Sequence, residues 1–219
     1  DNPDCPWGGV YSSRQLKENQ RHNDFEIAEL IRLSQIFSDI VVCVSIGNEA
    51  AVSWTDHRVP TLRLIEFANR LKGQVIQPVT FCENYVPWQF ELASLAEVLD
   101  IISIHSYPVW EHKSVDEGLE FTIANYQSVA MAYPDHQVII TEAGWATASN
   151  GRGIEPQQVS ESAQRRYFEA LMQWSEQAQV LIYYFEAFDE NWKGSAHPLE
   201  PEKHWGLYRA DRTPKLAMS

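Results

Sequence analysis

Val138-Ile139-Ile140-Thr141-Glu142 runs directly into Ala143-Gly144-Trp145. The β-branched run predicts a strand, and a single carboxylate closes it. An unpaired buried carboxylate costs roughly several kcal/mol unless it is protonated or hydrogen-bonded. Glu142 therefore either marks the point where the strand surfaces or is kept there for a use. The rest of the chain favours the second reading, because the pattern recurs.

Upstream, Ile40 to Ile46 is a nearly continuous β-branched run ending in Gly47-Asn48-Glu49, which predicts a strand buried on both faces. Val75 to Phe81 predicts a second strand, ending in Cys82-Glu83-Asn84-Tyr85, and Ile101 to Ile104 a third, closing with His105-Ser106-Tyr107-Pro108. Downstream of the opening stretch, Val180 to Phe185 predicts a fifth strand that meets Glu186. Helices fall between them. Ile27, Leu30, Ile31 and Ser34 are spaced for a helix from Asn23 to about Phe37, and Leu64, Phe67, Ala68 and Leu71 for the next. Leu92, Leu95, Ala96 and Leu99 predict a helix after Pro87. Ser114 with Glu117 forms a candidate capping box for a helix to about Tyr133, and a long helix passes through Tyr167, Leu171 and Trp174. Residues 1 to 22, with Pro3, Pro6, Gly8 and Gly9, read as an ordered loop or lid. No stretch has linker composition, so a single domain is expected over residues 1–219.

Composition narrows the function classes. With 44% hydrophobic and 21% charged residues the chain is of ordinary globular composition, and no apolar run approaches the length of a membrane helix. A formal net charge of −13, with only 17 Lys and Arg, argues against nucleic acid as a partner. The 8 Trp residues can stack on sugar rings as well as fill a core. Cys5, Cys43 and Cys82 are too few and too irregularly spaced for a disulfide framework or a zinc site, and Cys43 and Cys82 read as small buried hydrophobes. The compartment stays open.

Alternating strands and helices, with strands apolar on both faces, predict an α/β fold with a parallel sheet covered by helices. A doubly wound sheet and a barrel both satisfy that pattern. Four of the five strands deliver a Glu near their C-terminal end, and in a barrel those ends converge on one mouth where the active site is built. Two carboxylates across a mouth can split a glycosidic bond, one as acid and the other as nucleophile or base. Magnesium or calcium binding is the main competitor. Such sites usually show closely spaced Asp-rich loops, whereas these groups come one per strand and are accompanied by Asn48, His105, Tyr107 and Trp145. No metal and no cofactor is expected, and the predicted ligand is a sugar.

Gly47-Asn48-Glu49, Thr141-Glu142-Ala143-Gly144-Trp145, Phe185-Glu186-Ala187-Phe188-Asp189-Glu190-Asn191-Trp192-Lys193 and His204-Trp205-Gly206-Leu207-Tyr208 together resemble glycoside hydrolase family 17, over about Asn23 to Lys215. The resemblance implies a TIM-type (β/α)8 barrel and a retaining β-1,3-glucanase or a related transglycosylase, with a β-glucan as partner. Matched by motif, Glu49 would be the general acid/base and Glu142 the nucleophile. Asn48 would bind the sugar 2-hydroxyl, Tyr107 would orient or polarise Glu142, and Glu186 and Lys193 would bind sugar hydroxyls. Glu83 and His105 join the candidate sugar-binding set, and Tyr85, Trp110, Trp145 and Trp192 are candidate stacking platforms.

Only the equivalents of the family's fourth to eighth strands are recognisable, so the resemblance implies a barrel lacking about three strand–helix units. A fragment, self-association or a separate chain covering the open edges would each account for that. A non-catalytic carbohydrate-binding remnant is the reading outside enzymology.

Overall fold

The computed structural model describes Asn2, Cys5 and residues 8–219. Five strands form one parallel sheet in the order β1-β2-β3-β4-β5, where β1 is Val44–Asn48, β2 Val79–Asn84, β3 Ile101–Ser106, β4 Gln137–Ala143 and β5 Ile182–Tyr184. The long helices are α1 Ser13–Ile36, α2 Thr61–Lys72, α5 Val115–Ala132 and α6 Glu161–Ala178, with two single-turn helices, α3 Tyr85–Trp88 and α4 Ala93–Ala96, between β2 and β3. The fold is α/β of the (β/α)8-barrel type, with five strands among the described residues. No helix among the described residues is long and apolar enough to cross a membrane.

The chain divides into two compact units, residues 1–104 with 129–138, and residues 105–128 with 139–219. In the first unit, the inner residues of β1 and β2 (Val44, Ile46, Val79, Phe81) are buried together with the apolar stripe of α2, Leu64, Phe67, Ala68 and Leu71. Removing each of these Val, Ile, Leu and Phe side chains from water contributes about 1.5–3 kcal/mol. Trp88 lies fully buried under the end of β2, its indole N–H donating to the Ser103 carbonyl and its ring meeting Phe81 and Tyr133 edge-on. In the second unit, Ile140, Trp145, Tyr167, Leu171 and Trp205 are buried, and the Tyr167 hydroxyl is paired with Thr122.

Several boundaries depart from expectation for physical reasons. Residues 1 to 22 were expected to be a loop, of which residues 1, 3, 4, 6 and 7 lie outside the described residues. From Ser13 the segment is instead the first part of α1, closed by a capping box in which Ser12 and Gln15 bond reciprocally. The strand expected from Ile40 begins at Val44, and Ile40 and Val42 are 69% and 74% exposed, because β2, which supplies the hydrogen bonds, starts opposite Val44. The helix expected after Pro87 is two short turns, although Leu92, Leu95, Ala96 and Leu99 are buried as their spacing implies. The last strand shrinks to three residues, with Leu181 and Tyr183 about half exposed.

Candidate functional site

Both units carry strand-end carboxylates. In the first unit, Asn48 closes β1 and is exposed, and Glu49 follows with a left-handed φ of 46° that non-glycine residues adopt only where surroundings over-determine it. The Glu49 N–H donates to the Cys82 carbonyl at 2.9 Å, which ties the turn to β2. Ser45 reinforces the tie, donating its hydroxyl to the Gly47 carbonyl and accepting from the Cys82 N–H. Tyr85, at the start of α3, is half-buried at the same end of β2.

Glu83 does not serve as expected. Its side chain is fully buried, Oε2 accepts from the Ala51 N–H and Oε1 from the Asn84 N–H, both at 2.7 Å. A sugar cannot reach it. The alternation along β2 points Glu83 inward, a direction that residue type alone did not reveal.

In the second unit, Glu142 stands near the C-terminal end of β4 with its side chain 23% exposed. Its Oε2 accepts the Tyr107 hydroxyl at 2.5 Å and lies 3.5 Å from Nδ1 of His105. His105 is fully buried, so it borders the carboxylate from within instead of meeting a ligand, which corrects its place in the expected sugar-binding set. Glu49, His105 and Glu142 each offer an atom of a kind that ligates metal ions.

Aromatic rings fix Tyr107 in place. Its ring meets Phe185 and Trp205 edge-on at 5.7 and 5.1 Å between centroids, and Trp110 lies 6.1 Å from Trp205. Trp205 is 1% exposed and was not among the expected site residues, although the Trp205-Gly206 pair stands inside a recognisable motif. It is delivered by a ladder in which Glu186 N–H donates to Trp205 O, Leu207 N–H to Glu186 O and Tyr208 N–H to Ala187 O. Gln164 of α6 adds a latch, its side-chain amide nitrogen lying within 3.1 Å of the carbonyls of Trp145, Trp205 and Gly206. Sequence periodicity gave no signal for that role.

Trp145 is another correction. It is fully buried, its indole N–H donates to the Gln158 carbonyl and its ring rests on Tyr167, so it fills the core and offers no face to a sugar. Trp110 is half-buried, and Trp192 is 77% exposed with its face open to solvent.

Past β5, across a cis Phe185–Glu186 peptide, Glu186, Glu190 and Glu202 gather around one cation. Lys193 Nζ lies 3.4 Å from Glu190, 3.7 Å from Glu202 and 4.4 Å from the centre of the Phe185 ring. Burial pushes the Glu186 carboxyl up to about 7; Lys193 opposes the shift, and Glu190 and Glu202 add to it. One Oε of Glu186 is buried with no hydrogen-bond partner among the described residues. Near neutral pH this group exchanges between a hydroxyl donor and a carboxylate acceptor, which suits it to a ligand rich in hydroxyls.

A family model described as the BtgE/BtgC glycoside hydrolase domain matches residues 8–206. A protein of Arthroderma benhamiae named glucan 1,3-beta-glucosidase is 29% identical over 52% of this chain and 40% of its own length. One of Schizosaccharomyces pombe with the same name is 26% identical over 90% of this chain and 64% of its own. The chain thus spans less than two thirds of these relatives. Among solved structures, an endo-laminarinase from Formosa superposes with a TM-score of 0.79 at 24% identity, covering 89% of this chain and 61% of the other. A glycoside hydrolase family 17 beta-1,3-glucanosyltransferase from Rhizomucor miehei gives 0.71 at 21% identity, covering 85% and 68%.

Proposed function

Because the chain belongs to the BtgE/BtgC glycoside hydrolase domain family, related to glycoside hydrolase family 17, we propose that it cleaves β-1,3-glucan by double displacement. The observation that carries this reading is Glu142, a partly exposed carboxylate at a strand end that accepts the Tyr107 hydroxyl at 2.5 Å. The phenol leaves the second carboxylate oxygen available and holds the group in one orientation, as a nucleophile requires. Glu142 attacks the anomeric carbon while the bond to the leaving oxygen breaks and Glu49 gives that oxygen its proton. Glu49 then takes a proton from water, which attacks the glycosyl ester and frees Glu142.

Asn48, Tyr85, Trp110, Glu186, Trp192 and Lys193 remain the proposed sugar contacts, and the two units work as one hydrolase domain in this reading. The exposed apolar groups of the first unit, Ile36, Phe37, Ile40 and Val42, are covered by further polypeptide in the working protein. A monomeric solution mass for a well-behaved, active chain would overturn that part.

Incubation with laminari-oligosaccharides, with products resolved by chain length, tests the activity. Shorter sugars support hydrolysis. Longer or branched products instead identify a transglycosylase using the same two carboxylates, and unchanged sugar with measurable binding identifies a carbohydrate-binding protein.

A further inference from the structure

We propose that Glu83 is a positioning residue for the general acid, holding the Glu49 turn from beneath; this rests on the acid/base reading of Glu49. Glu83 ends β2 in full burial, where an ionised side chain is normally unfavourable. Its two oxygens accept backbone N–H groups, from Asn84 on its own strand and from Ala51 on the turn that carries Glu49, each at 2.7 Å. Charge-assisted bonds of this kind are the strong ones. Ala50, Ala51 and Val52 are themselves buried, so water cannot replace the acceptor if Glu83 is lost.

The turn needs such a hold because its conformation is not self-supporting. Glu49 has a φ of 46°, and the turn is tied to β2 by the Glu49 N–H on Cys82 O before that residue and by the Ala51 N–H on Glu83 Oε2 after it. With both ties, the backbone bearing Glu49 is fixed against β2. Loss of the second tie loosens the backbone that bears Glu49, and its carboxyl shifts with it. A general acid displaced by about 1 Å loses much of its effect.

The expected consequence is selective. Departure of a sugar hydroxyl needs a proton, whereas departure of dinitrophenolate does not. In Glu83→Gln, one of the two backbone donors faces an amide NH2 and loses its acceptor. Its kcat/KM on laminari-oligosaccharides should fall about 10²-fold, while that on a 2,4-dinitrophenyl β-glucoside of the same chain length changes less than about threefold. The alkaline limb of the oligosaccharide pH profile should move as well. Glu83→Asp, which keeps the charge but shortens the reach, should show a smaller loss of the same selectivity, and it decides the matter if the Gln variant does not fold.

Equal losses on both substrates, or no loss on either, overturn the proposal. Glu49→Gln is the control, because it should show the same selectivity more strongly. A Glu49→Gln variant that loses both substrates equally, or that keeps oligosaccharide activity, overturns the reading of Glu49 and the proposal with it. Selective loss in Glu49→Gln without selective loss in the Glu83 variants overturns the proposal alone.

Discussion

The Tyr107 hydroxyl donates to Oε2 of Glu142 at 2.5 Å, while the Tyr107 ring is held edge-on by Phe185 and Trp205. The hydrogen bond and the ring packing can therefore be separated. Tyr107→Phe keeps the ring and removes the bond, and hydrogen bonds to charged groups contribute about 1.5–3 kcal/mol. The variant should keep the fold, with a melting temperature lowered by a few degrees, and lose roughly 10- to 150-fold in kcat with little change in KM. Steady-state kinetics beside a thermal melt checks both halves.

Glu142→Gln should keep the fold and lose turnover by about 10⁴-fold or more, since the amide cannot form the glycosyl ester. Substantial residual hydrolysis in a purified variant would remove Glu142 as the nucleophile. For the wild-type chain, double displacement requires that the first product retain the β configuration, which proton NMR of a fresh reaction reads directly.

Glu186 makes stability depend on pH with a definite sign. Its carboxyl is pushed up to about 7 in the folded chain from an ordinary value near 4.5. Between these values the folded state binds more protons than the unfolded one, so stability falls as pH rises through that window. Half-exposure screens the effect to about 1 kcal/mol, or roughly 2–4 °C in Tm. Glu186→Gln should remove the slope, with a Tm that gains on the wild type between pH 5 and pH 8. Parallel pH profiles for the two proteins would contradict the assignment.

Lys215 and Asp189 form a buried pair at 2.7 Å, with the lysine side chain 2% and the aspartate side chain 9% exposed. Asp189 also accepts the Gly206 N–H, and Lys215 bonds Thr147. Lys215→Met leaves an unpaired carboxylate in the interior and should cost about 3–5 kcal/mol, measured by denaturant unfolding. The double variant with Asp189→Leu should recover part of that loss.

Gly144 has no room for a side chain, because an added Cβ would stand 2.0 Å from the Phe185 carbonyl oxygen. The obstacle is backbone on a neighbouring strand end, which cannot rotate away. Gly144→Ala should destabilise by about 3 kcal/mol and lower Tm by several degrees in a thermal melt.

The sequence carried the order of strands and helices and the chemistry at their ends, since burial on both faces and helical periodicity both leave a pattern. It did not carry what depends on neighbours. Ser13 to His22 holds one apolar residue, Leu16, so no apolar stripe announced that stretch of helix, even though Ser12 and Gln15 were there to cap it. Ile40 and Val42 have strand propensity but no strand opposite, and they stay exposed. Glu83, His105 and Trp145 were correctly placed at strand ends, yet their side chains point inward, a matter of pleat and packing that motif spacing cannot express. Tyr107 beside Glu142 was legible through family resemblance. Trp205 and Gln164, which steady that neighbourhood, act through packing and backbone carbonyls and so leave little mark on the sequence.

The ladder that brings Trp205 against Tyr107 also sets a timetable. Synthesis proceeds from the N-terminus at about 5–20 residues per second, so Tyr107 and Glu142 emerge well before the ring that braces them. Until residue 205 arrives, and Lys215 after it, the proposed nucleophile has its chemistry but not its posture. A nascent chain stalled in that interval would carry Tyr107 and Glu142 without the ring that braces the tyrosine.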